Sequence, residues 1–332
     1  MKAVVLNQVS EEKIQIVDLP KPSVGEGEAL VRIHAAALNH RDEWSRKGLY
    51  PNLKNGIVLG SDGAGVVESL GSDQDSKWLN QAVIINPALF WGEDQKAQSR
   101  QFEILGMPRN GTFAEYLVVP VDRLVPKPRH LSWEEAAALP LAGLTAYRAL
   151  VYQGQVKEGE QVLITGIGGG VAQFAAQFAH ALGAYVFVTS SQAEKLQKAR
   201  ELGYRGGFNY RDKDWVSHAL ELTGGFDLII DGAAGDGIND LIQACKPGAR
   251  IVFYGATAGN PGKLEARRIF WNQLKIMGST MGSDEDFRSM IDLVETHQIH
   301  PTVDQVFPLD QAFDAFDRMK AGKQLGKIIL KP

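Results

Sequence analysis

An α/β fold built on a doubly wound parallel sheet is the class this sequence predicts, and two observations carry the expectation. From residue 161 onward, short apolar strands alternate with helical stretches, and a glycine-rich turn lies where the first of those strands meets its helix. Before residue 120, short strand patterns are broken by Pro and Gly, so a region rich in β-structure precedes the alternating one.

The strand candidates of the first region are residues 3–6, 14–19 and 28–37, with Pro20, Pro22, Gly25 and Gly27 between the second and third. In Val31-Arg32-Ile33-His34-Ala35 apolar and polar residues alternate, as in a half-buried strand. Residues 60–70 and 112–118 are further candidates, and residues 87–110 read as a long polar loop. Ser132 with Glu135 three residues on forms a capping box for a helix over 133–138. A second helix is expected over 145–152.

The alternation then begins. Strands are expected at 161–165, 185–189, 208–210, 226–231 and 250–254, with helices at 171–182, 193–202, 214–222 and 237–244 between them. Gly183 and Gly203 follow two of these helices, where glycine usually ends one. A helix over 284–296 follows, and Gly326-Lys327-Ile328-Ile329-Leu330 reads as a strand returning to the first region.

Composition narrows the function classes. The 332 residues suffice for about two domains. Hydrophobic residues make up 44% and charged residues 22%, as in soluble globular proteins. A net charge of −4 offers no basic surface for nucleic acid, and no apolar run is long enough for a membrane span. The start Met1-Lys2-Ala3-Val4-Val5-Leu6-Asn7 reads as a first strand, its apolar run too short for a signal peptide. The single cysteine, Cys245, cannot close an internal disulfide and leaves no four-thiolate zinc site. A reducing cytoplasm is the expected setting, and a small buried residue the expected role for Cys245.

Chemistry first enters at Gln161-Val162-Leu163-Ile164-Thr165-Gly166-Ile167-Gly168-Gly169-Gly170-Val171-Ala172. Glycines let the backbone turn tightly and approach a pyrophosphate. The helix that follows offers free N–H groups and a partial positive charge to the phosphates. The strand-to-helix context makes this a dinucleotide site rather than a bare turn. At NAD sites the second strand ends in an acid for the ribose 2′-hydroxyl. Here that end reads Thr189-Ser190-Ser191, with Lys195 a helical turn on and Tyr210 at the next strand end. Hydroxyls and an ammonium suit a 2′-phosphate. NADP(H) is therefore the expected cofactor, although Glu194 stands close by.

These motifs resemble those of the medium-chain dehydrogenase/reductase superfamily, and within it the zinc-free quinone oxidoreductase and enoyl reductase branch. The glycine turn with Gln177 on its helix carries the resemblance. So do Leu38-Asn39-His40-Arg41-Asp42, Gly48-Leu49-Tyr50-Pro51 and Gly60-Ser61-Asp62-Gly63-Ala64-Gly65. Gly111-Thr112-Phe113-Ala114-Glu115-Tyr116 and Leu139-Pro140-Leu141-Ala142-Gly143-Leu144-Thr145-Ala146 extend it over the whole chain. Ile167, Ala172 and His180 depart from the quinone reductase pattern. The resemblance implies a GroES-like β domain over residues 1–125 and 265–332 and a Rossmann NADP-binding domain over 126–264. It also implies that nicotinamide and substrate occupy the cleft between them.

At the family's catalytic zinc positions this chain has Asn39, Ser61 and Leu141, none a usual zinc ligand, with Asp62 keeping the family's following acid. Residues 87–110 match the lobe that carries a four-cysteine structural zinc in the alcohol dehydrogenase branch, but contain no cysteine. No metal is expected. Without a Lewis acid, reduction of a quinone or an α,β-unsaturated carbonyl needs less help than oxidation of an alcohol.

By the same resemblance, Asn39 faces the nicotinamide ribose or the substrate oxygen, and Tyr50 lends its hydroxyl to the acceptor. Both also suit purely local roles, as a turn amide and a packed ring. Thr145, the segment Tyr254-Gly255-Ala256, and Met281-Gly282 would contact the nicotinamide half of the cofactor. Lys327 reads as a surface lysine or one reaching the cleft, and His40 as a residue of the cleft wall or surface. Asp42 reads as a structural partner of its loop. Trp44, Trp91 and Trp271 read as packing residues or walls of the acceptor pocket. A zinc-free carbonyl or alcohol reductase and a non-catalytic NADPH-binding protein remain alternatives. The segment 273–278 would pair with a second copy in a homodimer.

Overall fold

The alternating run of residues 28–37, with Arg32 exposed between buried Val31 and Ile33, becomes a central strand of a mainly antiparallel sheet. The computed structural model describes residues 1–332, all but the side chain of Gln74. The chain divides into two units, Met1–Ala142 with Gly282–Pro332, and Gly143–Met281.

In the first unit, seven strands form one sheet. Six run in the order Val303–Pro308, Lys327–Lys331, Glu28–Ala37, Asp62–Leu70, Ala82–Ile85, Leu124–Pro126. The seventh, Tyr116–Pro120, also pairs with Glu28–Ala37. The C-terminal strand thus returns to this unit, with Ile329 opposite Ala37. Its core gathers Val31, Leu59, Phe113, Phe316 and Ile328, all withdrawn from solvent. The strand expected at 112–118 starts later. Residues 112–114 instead meet the first strand, where Val4 N donates to Phe113 O.

The capping box forms as its sequence demands: Glu135 N donates to Ser132 Oγ at 3.2 Å, and Ser132 N donates to Glu135 Oε2 at 2.8 Å. The helix it starts, Trp133–Ala138, packs on the strands Glu28–Ala37 and Asp62–Leu70. It therefore belongs to the first unit, which moves the expected domain boundary from 125 to Ala142. The next helix begins at Pro140, a residue suited to a first turn, and ends in a widened π-type stretch over Arg148–Gln153.

Residues 87–110 are not featureless. Ala88–Leu89 pairs with Glu103–Ile104. Trp91 is 3% exposed and meets Phe102 edge-on at 5.4 Å. Its indole N–H donates to Asp94 O at 3.0 Å, and Ser99 N donates to Trp91 O at 2.6 Å. An aromatic pair and backbone bonds hold this lobe.

The second unit is a six-stranded, wholly parallel sheet. Its order is Gly206–Asn209, Tyr185–Ser190, Gln161–Ile164, Phe226–Asp231, Cys245–Phe253, Lys275–Gly278. The order reverses beside the first strand, which is the doubly wound arrangement. Helix Gly170–Ala181 buries Phe174, Ala175, Phe178 and Ala179 on one face, and Gly183 follows it with φ of 80°. The last strand, Lys275–Gly278, adds to this sheet, so the second boundary lies at Met281 rather than 264. Cys245 is buried, and burial pushes its thiol up to about 12. Among the described residues no helix is long and apolar enough to cross a membrane.

Candidate functional site

Asp62 organises the first unit's polar centre. It opens the strand Asp62–Leu70 and is fully buried. Its Oδ1 accepts from Leu141 N at 2.7 Å, and its Oδ2 accepts from Asn39 Nδ2 at 2.9 Å and Lys327 Nζ at 2.9 Å. Lys327 Nζ also donates to Asn39 Oδ1 at 2.6 Å. The expectation of a surface lysine is overturned: Lys327 is 3% exposed, because its strand is buried on both faces. Thr112 Oγ1 donates to Asp62 O at 2.7 Å and holds the strand start.

Asn39 caps the helix His40–Arg46 with extended backbone, φ −125° and ψ 156°. Its own N–H is satisfied by Asp42 Oδ2 at 2.8 Å. Asp42 is thus a local structural partner, and burial pushes its carboxyl up to about 6. His40 is solvent-exposed at the start of its helix.

Ser61 is also fully buried, and Arg41 lies against it. Arg41 Nη1 donates to Ser61 Oγ at 2.5 Å and to Leu105 O, Arg41 Nη2 to Met107 O at 3.1 Å, and Arg41 Nε to Tyr50 Oη at 3.2 Å. Tyr50 is half-buried, with its ring centroid 4.7 Å from the guanidinium carbon. Asn39 and Tyr50 therefore sit at the two ends of one short segment, each held by a cation.

Asn39, Ser61 and Leu141 come together around Asp62, yet they do not fit a zinc ion. An amide, a hydroxyl and an aliphatic side chain stand where thiolate or imidazole would be needed. Both Asp62 oxygens are engaged, and two cations border the place. Among the described residues no three His, Cys, Asp or Glu side chains gather to hold a metal.

In the second unit the glycine turn has the shape of an anion cradle. Gly166 has φ of 63°, a left-handed conformation natural to glycine, and a Cβ there would meet nothing within 4 Å. A Cβ on Gly169 would come no closer than 3.6 Å to a neighbour. The open space lies at the start of helix Gly170–Ala181, whose cap Gly169 contributes no side-chain bond. Gly168 and Gly169 form the turn, and Gly170 and Val171 the first helical residues. Gly166 N donates to Thr189 Oγ1 at 3.1 Å, which fixes the turn to the next strand. These residues fit a dinucleotide pyrophosphate.

Beyond that strand, Ser190 is buried and its Oγ accepts from Gln192 N at 3.1 Å. Ser191 is half-buried, and Tyr210 is 49% exposed, just past the Asn209 that pairs with Ser190. Lys195 is 8% exposed rather than a solvated helix charge. Ser190, Ser191 and Tyr210 thus lie at neighbouring strand ends, and Lys195 lies in the first turn of the helix Ala193–Glu201. Tyr254, Gly255 and Ala256 follow the strand Cys245–Phe253, and the Tyr254 ring covers Gly232, where a Cβ would approach it to 2.6 Å. Thr145 Oγ1 lies 3.9 Å from Met281 Sδ, both residues being buried. Met281 has φ of 43°, an unusual conformation for its side chain, and Gly282 follows it.

Sequence reasoning missed Asp231, at the carboxyl end of the strand beside the glycine turn. Its Oδ1 accepts from Thr165 Oγ1 at 2.5 Å, and its Oδ2 from Ala234 N at 2.7 Å. Burial raises its carboxyl above the usual range. An acid closing the apolar run Phe226–Asp231 was the available signal. Of the tryptophans, Trp91 packs inside its lobe, whereas Trp44 is 36% and Trp271 80% exposed.

Comparison with known proteins agrees with this geometry. Residues 25–129 match the alcohol dehydrogenase GroES-like domain, and residues 170–296 the zinc-binding dehydrogenase family. The chain is 36% identical to the zinc-type alcohol dehydrogenase-like protein YogA of Leptosphaeria maculans, over 96% of this chain and 94% of that protein. It superposes on a crystal structure described as an NAD-dependent alcohol dehydrogenase with a TM-score of 0.93 at 37% identity, covering 100% of both chains. The 2-octenoyl-CoA carboxylase reductase CinF, solved with NADP and 2-octenoyl-CoA, matches at TM-score 0.87 and 26% identity, over 99% of this chain and 87% of that one. With a GroES-like domain, a doubly wound parallel sheet and relatives matched along nearly their whole length, the chain belongs to the medium-chain dehydrogenase/reductase superfamily.

Proposed function

We propose that this oxidoreductase uses NADPH to reduce an α,β-unsaturated carbonyl or a quinone, without zinc. One observation carries the reading. The three family zinc positions are Asn39, Ser61 and Leu141, drawn together by Asp62 and bordered by the Lys327 and Arg41 cations. A site that keeps positive charge but no metal donors suits the stabilisation of a developing oxyanion.

When bound, NADPH supplies the hydride. The backbone of the glycine turn and the helix start at Gly170 would hold its pyrophosphate. Preference for NADPH over NADH is supported by the absence of an acid at Thr189-Ser190-Ser191 and by the buried Lys195. Thr145, Tyr254, Gly255, Ala256, Met281 and Gly282 would border the nicotinamide half. As hydride reaches the β-carbon of an enone, the displaced electron pair collects on the carbonyl oxygen. The Tyr50 hydroxyl would donate to that oxygen, Asn39 would orient the reacting groups, and a solvent proton would complete the α-carbon. The single, buried cysteine supports a reducing cytoplasmic setting.

The test is NADPH oxidation with a small enone, followed by product analysis. A saturated ketone is the expected product. An allylic alcohol would support a carbonyl reductase instead, and absence of turnover across a panel of enones and quinones would support a binding protein.

A further inference from the structure

Arg41 makes no direct hydrogen bond to a carboxylate, although the neighbouring Asp42 carboxyl feels its charge. Its four acceptors are Tyr50 Oη at 3.2 Å, Ser61 Oγ at 2.5 Å, Met107 O at 3.1 Å and Leu105 O, all neutral oxygens. Among the described residues it forms no ion pair. Arg41 is half-buried, and three of its acceptors are withdrawn: Ser61 fully, and Leu105 and Met107 each 2% exposed. A guanidinium in such a place costs desolvation energy that pairing with a carboxylate would normally offset. The guanidinium therefore lacks a direct carboxylate partner where it meets Ser61, one of the three family zinc positions.

The geometry also fixes where the charge acts. Two backbone carbonyls and the Ser61 hydroxyl hold the guanidinium, and Ser61 Oγ in turn donates to Leu105 O at 2.7 Å. The fourth bond reaches the Tyr50 phenol oxygen. That oxygen accepts from a cation while its own O–H has no acceptor among the described residues. A hydroxyl that accepts a charge-assisted bond donates more strongly through its proton, because the two bonds polarise one another. The donor is therefore aimed and strengthened before any substrate arrives, the condition under which an oxyanion donor is effective.

We propose that Arg41 is a positioning residue that replaces the metal's electrostatic role, acting on the acceptor oxygen through the Tyr50 hydroxyl. The inference rests on the reading of this chain as a metal-free enone reductase. It narrows the acceptor to compounds whose carbonyl oxygen gains negative charge as hydride adds at the β-carbon. The hydride's electron pair ends in the new C–H bond, the former π pair goes to that oxygen, and the α-carbon later takes a proton from water.

A double-mutant cycle on the full chain tests it, with kcat and KM for an enone measured for Arg41→Lys, Arg41→Gln, Tyr50→Phe and Arg41→Gln/Tyr50→Phe. Tyr50→Phe should lower kcat on the order of 100-fold, the usual effect of removing one oxyanion donor. Arg41→Gln should lower kcat by roughly 10-fold with KM nearly unchanged. Arg41→Lys, which keeps the charge, should recover part of that loss. In the Tyr50→Phe background Arg41→Gln should have no further effect on kcat. Equal losses from Arg41→Gln in both backgrounds, or a loss confined to KM, would overturn the proposal. Should Arg41→Gln fail to fold, Arg41→Lys with and without Tyr50→Phe reads the same coupling. A parent enzyme without enone turnover overturns the parent reading along with this one, whereas turnover with independent Arg41 and Tyr50 effects overturns this one alone.

Discussion

The Lys327 ammonium lies 2.9 Å from Asp62 Oδ2, with side-chain exposures of 4% and 0%. The two residues are separated by most of the chain, yet they form a buried ion pair that also holds Asn39. A pair of this kind contributes little when replaced as a whole but is costly to break from one side. Lys327→Met should therefore destabilise the protein by about 3–5 kcal/mol, because Asp62 is left charged and buried. Lys327→Met combined with Asp62→Asn should recover part of that loss. Urea unfolding checks both, and a Lys327→Met change within about 1 kcal/mol would place this lysine with ordinary exposed pairs.

Cofactor choice is tested by titrating the protein with NADPH and NADH in parallel. Ser191→Ala and Lys195→Ala should each weaken NADPH binding by roughly 10-fold, the loss of one charge-assisted contact, and leave NADH binding unchanged. Equal affinity of the parent for the two cofactors would remove the case for a 2′-phosphate site.

Asp42 sets a pH dependence of stability. Its carboxyl is shifted from 3.8 to about 6, chiefly by burial. Between those values the folded chain holds a proton that the unfolded chain releases. Asp42 therefore favours folding at low pH, and this support is lost as pH rises toward 6. Glu134 and Glu135, shifted downward, act in the opposite sense. The difference between parent and Asp42→Asn isolates the term. As pH rises from 4 to 7, the variant should gain on the parent by roughly 2 kcal/mol. A pH-independent difference in denaturation midpoints would show that Asp42 does not titrate in this range.

We propose a homodimer through the outer edge of the strand Lys275–Gly278, which ends the six-stranded sheet. Phe270 and Trp271 are 68% and 80% exposed on the helix just before it, and Ile276 on the strand is 37% exposed. Exposed apolar residues beside an open strand edge mark an association surface. Sedimentation at micromolar concentration should show a dimer, and Trp271→Glu with Ile276→Lys should shift it to monomer. A monomeric parent would end the proposal.

What the sequence made legible followed from local chemistry. Ser132 with Glu135 and Gly183 act through neighbours a few residues away, and they and the left-handed Gly166 sit where their patterns indicate. The strands Glu28–Ala37 and Phe226–Asp231 and the helix Asp284–Thr296 match their expected bounds because their apolar periods are strong. The buried polar centre was less legible. Asn39 and Tyr50 stood out by resemblance, but the partners that hold them did not. Lys327 depends on the pairing of Ile329 with Ala37, and Arg41 on carbonyls of the lobe around Leu105 and Met107. No local pattern encodes such long-range pairs. The domain boundaries shifted for the same reason, since helix Trp133–Ala138 is assigned by what it packs against.

Zinc independence can be read by assaying protein dialysed against a chelator, with its metal content quantified, for NADPH oxidation by an enone. Full turnover at far less than one metal per chain, yielding saturated ketone and unchanged by added zinc, is the expected result. Activity that vanishes on chelation and returns in proportion to bound zinc would contradict the assignment of the metal's role to Arg41, Lys327 and their partners.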